Sequence, residues 1–461
     1  MYFAIGLFYL RISRELKRLN SVSRSPIYSQ FTESLVGVTT IRAYSVEDQF
    51  MVSVYKKIDA FVTPFYFLWM SNRWLYARIE LVGTFVTLFA GIFLLMNIHR
   101  IDAGMAGISL FYARSFLEYI YWFIRQYTQV EMNLNSVERI QEYLEIEQEA
   151  PAIIEGHRPP AAWPTTGSIE VKELEVRYAP ELDPVLHGIS FSTRPHEKIG
   201  IVGRTGSGKS TMGLSFFRFL EASKGSIIID GIDVATIGLE DLRSRLTIIP
   251  QDAVLFDGTI RSNLDPFDEH SDEAVWESLE RAHLANPSDR TKHLPGSNDS
   301  SSNSVDVDEG FSSSITNLTQ KVSEGGNNFS QGQRQLICLA RALLRNSKVI
   351  IMDEATASVD FETDTKIQTT IREEFDNSTL LCIAHRLRTI IDYDRILVLD
   401  QGKIVEYDTP YNLLFNSTDT GVFKSMCEQS GEFDILIEMA KEAHNIKEIK
   451  EQSPDNHSKV F

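Results

Sequence analysis

The stretch Ile199-Gly-Ile-Val202 runs directly into Gly203-Arg-Thr-Gly-Ser-Gly-Lys-Ser210. An apolar run followed by G-x-x-x-x-G-K-[ST] predicts a buried strand, a phosphate-cradling loop and a helix start. The glycines let the backbone curl so that several N–H groups face inward, and the helix adds the positive end of its dipole. Lys209 offers a point charge to the outer phosphates, and Ser210 offers a hydroxyl to Mg²⁺. A chance Gly/Ser turn is the competing reading, and the partner motifs further along the chain weigh against it.

The chain has 461 residues, enough for two or three domains. Its net charge of -18 argues against a nucleic-acid partner, because phosphate backbones demand basic surface. Cys338, Cys382 and Cys427 lie far apart and form no C-x-x-C pair, so they read as reduced thiols rather than a disulfide or zinc framework. Met1 opens into an apolar stretch with no cleavage site, so no secretory signal is expected. The two halves differ: long apolar runs fill residues 1 to about 130, and four of the five tryptophans precede residue 164.

Leu81 to Ile98 is 18 residues without a charge. At a rise of about 1.5 Å per residue it spans roughly 27 Å, near the thickness of a bilayer's hydrocarbon core. Trp69 and Trp74 before it, and His99-Arg100 after it, fit interfacial anchors. A buried helix of a soluble core is the alternative. Ala103 to Val130 is apolar too but carries Arg114, Glu118 and Arg125, which suit either a pathway-lining helix or a structural ion pair. Residues 2–10 look like the inner end of a helix, and residues 11–19 like a separate polar, basic, cytoplasmic one. The hydropathy thus predicts a stub, a cytoplasmic excursion and two spans, at about 75–98 and 103–130.

Residues 167–178 alternate apolar and polar, as a half-exposed strand does, and end on Tyr178, a residue able to stack on a base. Lys348-Val-Ile-Ile-Met-Asp353-Glu354 reads as a strand buried on both faces that ends in two carboxylates. Asp353 is placed to organise a Mg²⁺ shell and Glu354 to polarise an attacking water. Between these motifs, Ser330 is a natural N-cap for a helix whose apolar positions are Leu336, Ile337, Leu339, Ala340, Leu343 and Leu344. The helix start offers Ser330, Gly332 and Gln333 to an anion. Two phosphate-binding helix starts in one domain suggest two domains packed head to tail, each completing the other's nucleotide site.

These residues resemble the C-terminal part of an ATP-binding cassette (ABC) exporter of subfamily C, closest in look to its fungal vacuolar members. The resemblance runs from about residue 2 to 440. It rests on the phosphate loop, on Phe329–Gln333 in place of the family signature, and on the Asp353-Glu354 strand end. Gln251, Ala357-Ser-Val-Asp360 and His385 also match, as do Ser23–Tyr28, Asn72–Trp74 and Val130–Arg139. The fold it implies is a membrane α-helical segment, part of an exporter transmembrane domain, followed by an α/β phosphate-loop ATPase domain with antiparallel β and helical subdomains. Its boundaries would be 1–145 for the membrane part, 146–166 for a linker, 167–440 for the nucleotide domain and 441–461 for a polar, fraying tail.

The resemblance implies ATP and Mg²⁺ as ligands. Tyr178, Gly203, Thr205, Gly206, Ser207, Gly208, Lys209, Ser210 and Thr211 would hold ATP. Ser210, Gln251 and Asp353 would serve Mg²⁺. Glu354, His385 and Gln251 would be catalytic, and Ser358 and Asp360 would form the D-loop. Ser330, Gly332 and Gln333 would face a partner's ATP. Leu35–Tyr44 would form a coupling loop, and Arg73, Trp74, Trp122 and Arg125 would line a substrate path. Phe329 and Gln331 replace the signature's first Leu and first Gly, which implies a weak composite site opposite a competent one.

The implied partners are a second nucleotide-binding domain, the remaining membrane helices, a lipid bilayer and a small-molecule substrate such as an organic anion, conjugate or xenobiotic. The implied place is a vacuolar or plasma membrane with the nucleotide domain in the cytosol. A chain with one nucleotide domain and two spans reads as a fragment of such an exporter. A channel or channel regulator, or a soluble DNA-repair ATPase, would share parts of the pattern. Residues 295–322, rich in Ser, Asn and Asp, read as a disordered insert.

Overall fold

A computed structural model describes residues 2–97, 99–285, 315–353, 361–384, 386–415 and 421–452. The chain divides into two units, Met1–Gln148 and Glu149–Phe461.

The first unit is helical. Helix α1 spans Tyr2–Val36, α2 Val38–Ala43, α3 Glu47–Met96 and α4 Ala103–Leu144. The expected stub at 2–10 and the separate basic helix at 11–19 are one element: α1 runs unbroken for 35 residues, through Pro26. The polar change along it reflects a change of surroundings, because Leu, Arg, Lys and Glu all tolerate helix well. A small core joins three helices: Tyr9, Leu75 and Ile79 are buried, with Ile5, Tyr121 and Ile124 packed against them. Tyr9 Oη donates to Asn72 Oδ1. Helix α3 is the one described helix long and apolar enough to cross a membrane, and only 11% of its apolar window is buried. That exposure rules out the soluble-core reading, since a core helix would bury this face. Phe85, Phe89, Phe93 and Met96 instead present their side chains outward.

The second unit opens on residues 149–166, within the expected linker, and several of them lie against the domain. Glu149 pairs with Arg243 at 2.7 Å, and Arg158 grips Asp241 with two hydrogen bonds. Trp163 is buried and donates to Ile229 O at 2.9 Å.

The domain's elements follow in order. First come β1 (Ile169–Val176), β2 (Leu186–Ser192), β3 (Lys198–Gly203), α5 (Lys209–Phe216), β4 (Ala222–Ile229) and β5 (Ile232–Asp233). Then come α6 (Leu239–Arg243), β6 (Leu246–Ile249), β7 (Gly258–Thr259), α7 (Ile260–Leu264), α8 (Asp272–Arg281) and β8 (Lys321–Val322). Helix α9 (Gln331–Arg345), β9 (Val349–Asp353), α10 (Phe361–Glu374), β10 (Thr379–Ile383), β11 (Arg395–Asp400) and β12 (Lys403–Asp408) come next. Three helices close the chain: α11 (Pro410–Phe415), α12 (Val422–Gln429) and α13 (Phe433–Gln452).

A four-stranded antiparallel sheet has the order β2-β1-β4-β5, and a six-stranded sheet the order β12-β11-β3-β10-β9-β6. In the larger sheet β11, β3, β10, β9 and β6 are parallel. Strand β9 has Val349 to Met352 buried, which is why its run is continuously apolar. Strand β1 alternates buried and exposed residues over most of its length. Helices α7 and α8 pack on α9 as a helical layer beside the sheet.

Two expectations need correction. Residues 315–322, assigned to a disordered insert, are structured. Ile315, Leu318 and Val322 are buried, and β8 pairs with β7. Ile315, Leu318 and Val322 join the buried cluster that also holds Ile260 and Leu264 of α7 and Val275 and Leu279 of α8, which a count of Ser and Asn conceals. The rest of that stretch, 295–314, lies outside the described residues. The expected fraying tail is helical to Gln452. Lys447 donates to Asp392 O and pairs with Asp394 at 2.9 Å, and His444 stacks on Tyr411 at 4.1 Å.

Candidate nucleotide-binding site

The phosphate loop connects the end of β3 to the start of α5. Gly203 closes the strand and Gly208 is the N-cap of α5, with φ 98°. Gly206 has φ 83° and nothing within 4 Å of where a Cβ would stand, so one side of the loop is an open cradle. Ser207 Oγ is buried and has no hydrogen-bond partner among the described residues. Lys209 is 6% exposed, and its ammonium donates to the carbonyls of Gly203 at 2.8 Å and Arg204 at 3.2 Å. An ammonium bent over the loop, an orphaned hydroxyl and an open glycine turn fit a polyphosphate. Thr205, Gly206 and Ser210 are exposed around the opening, and Thr211 is buried beneath it. Tyr178 Oη and Thr211 Oγ1 are 3.1 Å apart, which tethers an otherwise exposed ring beside the loop.

Sheet register brings the other residues to the same edge. Gly203 is paired with Leu399, Ile201 with Ile383, and Ile383 with Asp353. Met352 is paired with Ile249, and Gln251 follows two residues beyond. The C-terminal ends of β3, β9 and β6 therefore deliver the loop, Asp353 and Gln251 along one line. Ligands of parallel α/β sheets bind at such strand ends. Glu354, Ser358, Asp360 and His385 lie outside the described residues.

The second helix start is well formed. Ser330 Oγ accepts from Gln333 N at 3.2 Å, and Gln333 Oε1 accepts from Ser330 N at 2.9 Å, a reciprocal capping box. The Ser330 hydroxyl keeps its own proton free of that box, so it can still donate to an anion. Gly332 is where α10 crosses: a Cβ there would stand 3.0 Å from Thr363 Cγ2. Phe329 is 8% exposed and belongs to the core of the helical layer. It fills the place of the family's Leu with apolar bulk. Gln331 Oε1 accepts from Arg334 instead of facing outward.

Sequence reading overlooked one residue here. Gln335 is buried in α9 and reaches the loop that carries Gln251. An amide at a core position of an apolar helix face was the available signal.

In the membrane unit, Arg73 and Trp74 lie on α3, and Trp122 and Arg125 on α4. Trp74 packs on Phe8 and under Arg78, Arg125 donates to Tyr121 at 3.3 Å, and Trp122 is 61% exposed. None of these contacts joins one of the four to another. The three cysteines are free and buried; burial pushes the Cys382 and Cys427 thiols up to about 12, so they are poor nucleophiles.

A helical membrane-type unit and a phosphate-loop sheet domain share one chain, the class of architecture in which a membrane region is joined to a nucleotide-binding domain. Residues 1–118 match the ABC transporter transmembrane region, and residues 186–357 match the ABC transporter model. The chain belongs to the ABC transporter family, and its relatives include subfamily C members. It is 54% identical to the ATP-dependent bile acid permease of Saccharomyces cerevisiae, over 96% of this chain and 26% of that protein. It is 47% identical to the metal resistance protein YCF1 of Saccharomyces cerevisiae, over 92% of this chain and 26% of that one. To the human ATP-binding cassette sub-family C member 3 it is 47% identical, over 94% of this chain and 26% of that one. The chain thus spans about a quarter of the length of these relatives. A bacterial Atm1-family ABC exporter solved with ATP bound has the same fold, with a TM-score of 0.74 over 93% of this chain and 71% of that one, at 24% identity.

Proposed function

We propose that this chain is the ATP-binding and ATP-hydrolysing part of an exporter that moves organic anions, conjugates or xenobiotics across a vacuolar or plasma membrane. The observation that carries the reading is the meeting of the 203–211 loop, Gln251 and Asp353 at one sheet edge. The printed names of the relatives, a bile acid permease and a metal resistance protein among them, support the cargo class.

In this reading Tyr178 stacks on adenine while Thr211 steadies its hydroxyl. Lys209 leaves the carbonyls of Gly203 and Arg204 for the outer phosphates, and the loop amides of Thr205 to Ser210 hold the rest. Ser210, Gln251 and Asp353 would hold Mg²⁺. Bound Mg²⁺ supplies charge neutralisation on the phosphates. Glu354 orients and deprotonates water, His385 contacts the terminal phosphate, and Ser358 and Asp360 touch the partner domain. Ser330, Gly332 and Gln333 face the nucleotide of that second domain. The six-residue α2 is the coupling helix. Arg73, Trp74, Trp122 and Arg125 line the cargo path only once the remaining membrane helices are in place.

The test is Glu354→Gln in a full-length transporter that contains this chain. ATP binding should persist while hydrolysis falls by about 10²–10⁴, the usual loss for a general base. Hydrolysis near the unmodified rate would remove Glu354 from this role.

A further inference from the structure

Gln335 lies in α9, in the turn after Ser330, and is 2% exposed. Its amide nitrogen donates to Gln251 O at 2.7 Å and to Pro250 O at 3.2 Å. One NH₂ group has two hydrogens, and two carbonyls take both. The reversed amide would set oxygen against two oxygens, so the partners themselves fix which atom is nitrogen. On its other side Gln335 Oε1 is buried with no hydrogen-bond partner among the described residues.

An unmet acceptor in a core is a stability cost that an apolar side chain of the same length would avoid. Packing therefore does not account for an amide here; its two donors do. What they hold is the turn that leaves β6. Ile249, the last residue of β6, pairs with Met352, so Pro250 and Gln251 begin where β9 ends in Asp353.

We propose that Gln335 is a positioning residue for the nucleotide site. It fixes the backbone at Gln251 so that this side chain faces the Mg²⁺-bearing phosphates. It also ties that turn to the helix whose first residues include Gly332 and Gln333. A shift of Gln251 on nucleotide binding thereby reaches the first turn of α9 through a single side chain. The assignment rests on the proposed function and names the group that connects its two phosphate-facing elements.

The test uses the full 461-residue chain in detergent, with trinitrophenyl-ATP as the probe, in EDTA and in Mg²⁺. Gln335→Met keeps the length and removes both donors. It should still unfold cooperatively, and its binding in EDTA should be unchanged. The tightening that Mg²⁺ brings should fall by about tenfold, as expected for two lost hydrogen bonds. Gln335→Glu gives a second reading: protonated, it regains one donor, so its Mg²⁺ effect relative to the unmodified chain should recover at about pH 5 and vanish at about pH 8. Full Mg²⁺ tightening in Gln335→Met, or an equal loss in EDTA, overturns the assignment. If Gln335→Met does not fold, a pH-independent Gln335→Glu overturns it. Failure of the unmodified chain to bind the probe overturns the proposed function, and this assignment with it.

Discussion

Asp230 accepts backbone N–H bonds from Thr165, Thr166, Gly167 and Ser168, with the Thr166 hydroxyl added at 2.6 Å. Burial pushes its carboxyl up, but these donors win, and its pKa lies below the ordinary value. A carboxylate with a lowered folded pKa stabilises above the unfolded pKa, and that stability is lost as pH falls through the folded value. Asp230→Asn should therefore cost about 1–2 kcal/mol at neutral pH, discounted for its partial exposure. The gap to the unmodified chain should begin to narrow in acid unfolding below about pH 4 and keep narrowing as pH falls further. A gap as large at pH 3 as at pH 7, measured by thermal or urea unfolding, would refute the ionic origin. Phe329 makes a packing prediction of its own. Phe329→Ala should cost about 3–5 kcal/mol, whereas Phe329→Leu should cost under about 1.5 kcal/mol, because the site needs apolar volume and not an aromatic ring. Urea unfolding of the two variants checks this. The phosphate loop was legible because its backbone shape requires Gly and its chemistry requires Lys. Gln335 offered only an amide on an apolar helix face, and Asp230 no pattern, because the partners that give each its role lie dozens of residues away.

Helix α6 shows how an element depends on chain that looks dispensable. Its first two amides, Leu239 N and Glu240 N, donate to Pro151 O and Ala152 O. Arg158 and Glu149 then hold Asp241 and Arg243 on its outer side. The strap at 149–158 thus caps a five-residue helix that has no side-chain cap of its own. Arg158→Ala should speed hydrogen exchange at Leu239 and Glu240 while leaving β3 and β9 protected. Equal exchange in both chains would show that the backbone contacts alone suffice. Elements with a strong apolar pattern, the continuous run of β9 and the periodic face of α9, could be read from sequence. Its face Leu336, Ile337, Leu339, Ala340 and Leu343 is buried. Elements whose apolar residues are sparse could not: 315–322 read as a disordered insert and the chain after 441 as a fraying tail, because their ordering depends on the core shared with α7 and α8 and on α11 and α12.

At the scale of the whole molecule, the membrane unit buries little of its own apolar surface. Tyr9, Leu75 and Ile79 are its buried apolar core, while Phe85, Phe89 and Phe93 are more than half exposed. Such faces need lipid or further helices. The chain should require detergent for extraction and should not be released by high salt; salt release would contradict the membrane assignment. The central claim is that the 203–211 loop binds a nucleoside triphosphate. Its most direct test is equilibrium binding of radiolabelled ATP to the solubilised chain, compared with Lys209→Ala. The account predicts saturable binding by the unmodified chain and a loss of about a hundredfold in the variant, the effect of one charged hydrogen-bonding group. Equal affinity in the two chains, or no saturable binding in either, would contradict it.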